Sequence, residues 1–579
     1  MKLTRKLKAL SARVRAHAEA IPGRHYAQRH PSSAGVAITS AFRGVLGHLM
    51  PNDKWSLGVH LPLWLRALDI PTGEGKPAPK CIFMFCAYRI QFTLDFMVAI
   101  LLAWRGHTIT FGYLPKLQSP IKEPLADHAS AKPYLTAVLA KVETWSRGRI
   151  RCVDLSDEDA NCIPPDETFI RSQVQSDVVM CVKRETLDMD DPETFWRWTY
   201  YEEQARRAQC QAYAHFSRTA GSYDVALIAN GTTFESAQFC RMAKKQGIPV
   251  NTFEKFAFRN VRVMNHGDDF RAFNDLDTAW NQRERLGYHC EPFYSFATSR
   301  ALGLLNERRM ASKKTWSWTL QVSPDQTADQ ALTAIGLAQG TPFILVCTNV
   351  PYDAGYDGLL GLFSSMREWL LETVRHLLEN TCLHVVVRAH PGEAAHYGGK
   401  ERSEETLAEF LSHPRLTMIP GEQSVNTYGL MESCKYGVAF SSTTGMEMVM
   451  MGKKVVVGAN VYYGRKGFTV DSDTRDDYFA NLTQLAAAQG EVGSSEHEQK
   501  QAALFHFLLH FIMQWPFPYD KPSCVQSLPP CRLLRSHRMS RYIPFLDALV
   551  LTADEWKEHC IRFIAADGSN HIPVADGPP

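Results

Sequence analysis

Strand-like and helix-like segments alternate along most of this 579-residue chain, and that rhythm limits the folds open to it. "CIFMFCAYRI" (81–90) is an apolar run of strand length, "QFTLDFMVAILLAWRG" (91–106) has helix length and stops at Gly106, and "HTITFGYL" (107–114) is a second strand. Strand, helix and strand in this order open a parallel α/β unit. The pattern resumes with a predicted helix from Pro192 to Thr219, then strand "DVALIANG", helix "TFESAQFCRMAKKQG" and strand "IPVNTFE". Gly247 falls where an αβ loop needs a helix stop. After a polar, Trp-bearing stretch (311–341) a second series begins. "PFILVCTNV", "CLHVVVRAHP", "RLTMIPG", "YGVAFSS" and "KVVVGAN" read as strands, separated by the helical "FSSMREWLLETVRHLLEN", "EETLAEFLSH", "VNTYGLMESC" and "GMEMVMMG".

The expected fold is α/β, with two doubly wound Rossmann-like domains facing a cleft. The first spans 76–310, with an irregular excursion at 115–190, and the second spans 338–515. Residues 1–75 form an extension, in which "KWSLGVHLPLWLRALDI" packs on the body, and "PTGEGKPAPK" (71–80) is a hinge. "WPFPYDKP" breaks the pattern near 516, which leaves 516–579 as a tail that frays at its end.

A formal net charge of +2 makes no global case for nucleic acid. The 14 cysteines lack CxxC pairs and regular spacing, as expected of reduced thiols in an intracellular protein, and no Cys/His set has zinc-ligand spacing. No run reaches the ~18 apolar residues of a membrane span; the longest, "FTLDFMVAILLAW", contains Asp95. The basic N-terminal segment "MKLTRKLKALSARVRAHAEAI" has no apolar core of a secretory signal. Its Leu3, Leu7, Leu10, Val14 and Ile21 near helical spacing fit two descriptions, an interfacial helix on an anionic membrane or a solvated, partly packed terminal helix.

In doubly wound sheets, ligands bind beyond the carboxyl ends of the strands, and the polar motifs of this chain fall there. "VVVRAHPGE" places Arg388, His390 and Pro391 after a buried strand. His390 can donate to a phosphate oxygen as a neutral donor or as a cation, against the plainer fate of a loop histidine capped by backbone; Arg388 can donate more strongly, and the proline ends the ladder. "FSSTTGMEM" places Ser441, Ser442, Thr443 and Thr444 where a helix starts. Such a stretch is either a well-capped loop or an anion site built from hydroxyls and N–H groups. Glu447, one turn in, either bonds the hydroxyls of a ribose or closes a capping box with Thr444. Asn349 and Asp353 follow the first strand of the second domain. Tyr462, Tyr463, Arg465 and Lys466 form a glycine-bordered loop after its last, suited to an anion or simply a solvated turn. In the first domain, Asn230, Gly231, Thr232 and Glu235 stand at a strand-to-helix junction, and Glu254 ends the next strand. Glu235 and Glu254 are candidates for the base that deprotonates an acceptor hydroxyl, against the commoner fate of a surface salt bridge.

In order along the chain, "TNVPYDAG", "REWL", "RAHPGE", "SVNTYGLMESC", "SSTTGMEMVMMGKKVVV" and "YYGRKGFT" resemble the bacterial capsule polysaccharide biosynthesis glycosyltransferases, the group that includes the capsular Kdo transferases. The likeness covers about residues 340–480, with a fainter echo in "ANGTTFESAQFCRMAKKQGIPVNTFE". It implies a GT-B enzyme with no cofactor and no metal, whose substrate is a nucleotide-activated sugar of the CMP-Kdo or UDP-sugar kind. Its acceptor would be a surface or capsular polysaccharide or a glycolipid, and its place the cytoplasm, with peripheral contact at the inner face of the membrane. By the same likeness His390 and Pro391 bind the donor nucleotide, Ser442 and Thr443 its phosphate, and Glu447 matches the acidic residue that GT-B enzymes set on the nucleotide. A nucleotide-sugar epimerase, which can share this build, and a non-catalytic polysaccharide-assembly protein are the alternatives.

Overall fold

The computed structural model describes Leu61 and residues 65–69, 77–116, 132–156, 166–255, 261–311, 323–350, 360–395, 401–490, 492–516 and 543–558. The basic N-terminal segment expected to be helical, Asp353 and the end expected to fray (566–579) lie outside them.

The first sheet contains β1 (Cys81–Tyr88), β2 (Thr108–Lys116), β3 (Ile150–Asp154), β4 (Val225–Ala229), β5 (Val250–Lys255), β6 (Val261–His266) and a late strand at Gln514–Pro516. Its helices include α1 (Arg89–Arg105), α2 (Glu167–Val182), α3 (Pro192–Arg218), α4 (Phe234–Lys245), α5 (Asn274–Asn281) and α6 (Phe293–Arg309). The second sheet contains β7 (Phe343–Cys347), β8 (His384–Arg388), β9 (Leu416–Ile419), β10 (Tyr436–Ala439) and β11 (Val455–Val457). Around it lie α7 (Met366–Asn380), α8 (Thr427–Ser433), α9 (Thr444–Met450), α10 (Arg475–Ala487) and α11 (Glu496–Phe507), followed by the late strand, β12.

The orders are β12-β6-β5-β4-β1-β2-β3 and β11-β10-β7-β8-β9. The first five strands of each domain run parallel in the order 3-2-1-4-5; only β6 and β12 run antiparallel, at one edge of the first sheet. The molecule is thus two Rossmann-like α/β domains, with topological switch points between β1 and β4 and between β7 and β10.

The cores explain the apolar runs. Ile82, Met84 and Cys86 of β1 face one core and Phe83 and Phe85 another, as period-2 alternation requires of a strand covered on both faces. Leu345 and Cys347 of β7 join the same core as Ile82, while Ile344 and Val346 face a third. One continuous core therefore spans both domains. Its seam runs through Trp280 of α5 and Phe505 of α11, whose rings meet edge-on at 5.2 Å.

Three expectations change. The excursion at 115–190 contains β3 and α2; the polar "IRCVD" reads weakly because β3 is an edge strand with one fully buried residue, Ile150. The end of the expected second domain and the tail return to the first: β12 pairs with β6, and α12 (Ile543–Leu549) lies against α1. Arg105 donates to both Asp547 oxygens at 2.8 Å, and Asn251 Nδ2 donates to the carbonyls of Leu549 (2.9 Å) and Leu551 (2.6 Å). This cover explains why α1 is apolar all round: Phe96 to Trp104 are buried as a core helix. Finally, "EETLAEFLSH" forms only two short turns, Ser403–Thr406 and Ala408–Phe410. Leu61, Leu65 and Leu68 of the extension pack into the shared core.

Candidate functional site

The second sheet's strands end level with one another. Ala439 of β10 pairs with Cys347 of β7, which pairs with Arg388 of β8. The loops that follow therefore rise side by side and form a polar crest over the β7/β10 switch point.

Asn349 and Ser441 meet across that point, the Asn349 amide donating to the Ser441 hydroxyl at 2.8 Å. Thr348 ties in the third loop by accepting from the His390 N–H at 3.0 Å. Below it lies buried Glu393, which accepts from the hydroxyls of Thr348 (3.4 Å) and Ser403 (2.7 Å). Burial pushes the Glu393 carboxyl pKa up.

His390 has a defined protonation state. Its Nδ1 accepts from the Gly392 N–H at 3.0 Å, so the ring proton resides on Nε2. Burial, then the charges of Arg308 and Arg388, hold the imidazole down at about 4. Burial and the nearby cations thus favour the uncharged Nε2–H donor over the cation at neutral pH. Gly392 makes this geometry possible, since a Cβ there would sit 2.8 Å from Nδ1. Pro391 ends the strand without contributing an N–H.

The hydroxyls divide by direction. Ser442 is 8 % exposed; its hydroxyl accepts from Thr444 Oγ1 at 2.9 Å and its carbonyl from the Tyr463 hydroxyl at 2.5 Å. It is part of the turn's own support. Ser441 and Thr443 are half-buried, and the Thr443 hydroxyl lies 3.3 Å from that of Tyr462. No side chain caps α9, which is only two turns long, so side-chain donors rather than a long helix dipole dominate the local field.

Glu447 closes no capping box. It is fully buried, accepts from the Tyr428 hydroxyl at 3.0 Å and faces Arg308 Nη1 at 3.2 Å. Burial pushes its carboxyl up, against the pull of Arg308 and Tyr428. Arg388, 2 % exposed, lies below the crest and donates to the Pro420 carbonyl at 2.6 Å; burial lowers its guanidinium pKa to about 10. Lys466 reaches the first domain, where its ammonium pairs with Asp277 of α5 at 2.6 Å. Beside it the Tyr462 ring stacks on Phe273 at 4.7 Å. Arg465 turns instead to Asp473, in its own loop.

In the first domain, Glu254 is half-buried at the end of β5 and accepts from Asn230 Nδ2 at 2.9 Å. Glu235, in the first turn of α4, is 3 % exposed. The structure thus collects Asn349, Ser441, Thr443 and His390 on one crest, and Asn230 with Glu254 on another. The groups that sequence reasoning missed are Arg308 and Tyr428, which hold Glu447, and Asp277. The signal for Arg308 was slight: an Arg pair, Arg308 and Arg309, near the expected end of the first domain.

Fold and site define a two-domain, doubly wound α/β protein with a donor-rich crest at the switch point of its second sheet. No family model and no curated protein matches the chain. Among solved structures it is similar to the beta Kdo 2,4 transferase KpsC of Thermosulfurimonas dismutans, at 14% identity over 54% of this chain and 88% of that one, with a TM-score of 0.33. It is similar also to the beta Kdo 2,7 transferase KpsC of the same organism (13%, 52% and 80%, 0.29). A third is UDP-GlcNAc 2-epimerase from Neisseria meningitidis bound to UDP-GlcNAc (13%, 74% and 96%, 0.25). Among the described residues no helix is long and apolar enough to cross a membrane, and no group of three or more His, Cys, Asp or Glu could hold a metal ion.

Proposed function

We propose that this protein is a GT-B glycosyltransferase that moves a sugar from a nucleotide-activated donor to a surface polysaccharide or glycolipid, without a divalent metal, at the cytoplasmic face of the membrane. The observation that carries this is the crest itself: three strand-end loops, tied by the Asn349–Ser441 and His390–Thr348 hydrogen bonds, present side-chain donors at one switch point. The ordered motifs that resemble capsular transferases are the ones that build it.

In this mechanism the leaving group is a nucleotide phosphate, and its negative charge grows as the glycosidic bond breaks. Preorganised donors that bind the developing charge better than the ground state lower the barrier. The neutral Nε2–H of His390 and the hydroxyls of Ser441 and Thr443 are those donors. In this reading His390 acts on the phosphate as a neutral hydrogen-bond donor. Ser442, Arg388 and Pro391 hold the loops in place. For the acceptor base, Glu254 is better placed than Glu235 because it retains accessible surface at a strand end.

A thermal-shift screen of CMP and UDP sugars tests the proposal, since a ligand specific for the folded state raises its stability. One class of donor should stabilise the wild type, and His390→Ala should abolish the shift. If no nucleotide sugar binds, the proposal fails. Turnover of the donor to an epimerised sugar without any acceptor would replace it with the epimerase.

A further inference from the structure

The first two amides of α7 take their acceptors from the other domain. A helix leaves its first four N–H groups without intrahelical partners. In α7 the Ser365 hydroxyl accepts from the Glu368 amide at 2.9 Å, and the Ser365 carbonyl from that of Trp369 at 3.1 Å. The amides of Met366 (2.6 Å) and Arg367 (2.9 Å) donate instead to the two carboxylate oxygens of Glu185, which stands between α2 and α3 in the first domain.

The second domain returns the contact. Glu401, 8 % exposed, lies between β8 and β9. Its Oε2 accepts from the N–H groups of Glu185 (2.8 Å) and Thr186 (3.0 Å), and its Oε1 from the Thr186 hydroxyl (2.8 Å). Arg367 Nη1 pairs with the same Oε1 at 2.8 Å. Arg367 therefore touches both carboxylates, Glu185 through its backbone and Glu401 through its side chain.

These bonds lie beside the crest. Val350, which follows Asn349, packs with Val179 of α2 and Leu187. Two residues past Glu401, Ser403 donates its N–H (3.2 Å) and its hydroxyl (2.7 Å) to Glu393, which also accepts from Thr348, the residue that holds the His390 N–H. The apolar part of this contact is small, whereas at the seam the two domains share one core through Trp280 and Phe505. Bonds from carboxylates to backbone can be exchanged for bonds to water when domains part; a shared apolar core has no such replacement.

We infer that Glu185 and Glu401 are a reciprocal clasp: each caps backbone of the opposite domain, the two sets of bonds form and break as one unit, and together they hold the cleft closed beside the crest, with the seam as the hinge. Closure of this kind excludes water from whatever the crest binds.

Hydrogen–deuterium exchange of the full chain without ligand, read on peptides that span Met366 and Arg367, tests this on wild type, Glu185→Ala, Glu401→Ala, Glu401→Gln and Arg367→Gln. Glu185→Ala removes the acceptor and should speed exchange at the two amides by about ten-fold or more. Glu401→Ala touches neither amide, yet should speed their exchange to a similar degree, with Glu401→Gln, which keeps one acceptor oxygen, in between. Arg367→Gln breaks only an ion pair inside the second domain and should stay near wild type. Exchange in β1 and β7 should remain slow in all four variants, and Glu401→Gln carries the comparison if an alanine variant loses it. In small-angle X-ray scattering the radius of gyration of both alanine variants should rise. Wild-type protection in Glu401→Ala, an equal loss in Arg367→Gln, or faster exchange without a larger radius of gyration overturns the clasp and leaves two independent caps. No nucleotide enters the test, so failure of the clasp and failure of the proposed function are told apart.

Discussion

Asn-Gly-Thr-Thr-Phe (230–234) after β4 and Ser-Ser-Thr-Thr-Gly (441–445) after β10 stand at equivalent places, each beyond the fourth strand of a 3-2-1-4-5 sheet. The first junction is sealed from within. Asp177 of α2, 2 % exposed, accepts from the Phe234 N–H at 3.2 Å and 3.1 Å, and Gln173 donates to the Thr232 carbonyl at 2.8 Å. Asn230 and Phe234 adopt left-handed φ of 64° and 46° to fit. At the second junction no side chain caps the helix, and the hydroxyls of Ser441 and Thr443 turn to Asn349 and Tyr462 at the crest. A protein carboxylate thus takes, in one domain, the position an anionic ligand would take in the other. Hydroxyl-rich junctions are common to both; an incoming acid from a neighbouring helix decides which one is closed.

The largest expected effect strikes the open junction. His390→Ala should reduce turnover of the active donor by about 10²–10³-fold, the usual loss for one donor to a developing anion, with the melting temperature little changed. Between pH 6 and 8 the wild-type contribution of His390 should be flat, because its pKa is held at about 4; a rate that titrates near 6.5 through this residue would break the comparison.

Next comes the sealed junction. Burial pushes the Asp177 carboxyl up to about 7, against the bonds from Gln173 and Phe234. The folded state therefore holds a proton that the unfolded chain gives up from about pH 4 upward. Stability from this group is fully present below that range, falls as pH rises towards about 7, and is lost above it. Asp177→Asn retains an acceptor for the Phe234 N–H and should remove the slope, leaving the variant more stable than wild type at pH 8 by on the order of a few kcal/mol in chemical denaturation. Nucleotide binding should not change.

Gly445→Ala separates packing from chemistry. A Cβ there collides with the Tyr463 hydroxyl, which supports the Ser442 carbonyl. A cost of about 1–3 kcal/mol is expected, together with weaker donor binding, although alanine is otherwise the better helix former. Smallest is Lys466→Ala. Its pair with Asp277 is half open to solvent, at 15 % and 45 % exposed, and should be worth less than about 1 kcal/mol. A large loss of nucleotide affinity in that variant would show that Lys466 leaves Asp277 for the ligand.

The strands and helices were legible wherever the apolar period was strong. β1, β7 and β8 are nearly unbroken apolar runs, and α3 starts at Pro192, as the sequence reading placed it, with Asp191 as its cap. β3 was missed because an edge strand exposes one face, and α12 because a long break hides its return to α1. At the site, sequence placed His390, Ser441, Thr443 and Asn349 at strand ends, where they are. It could not tell that the Ser442 hydroxyl serves its own turn or that Glu447 faces an arginine.

Local composition therefore determined the alternation of strand and helix, the two sheets, and the polar loops at their carboxyl ends, because periodicity and stop residues act over a few positions. Tertiary structure decided which hydroxyls face outward, that Asp177 fills one junction, and that Arg308 crosses the domain seam to Glu447. Those partners lie far apart in the chain and are selected by packing geometry, to which no local pattern responds.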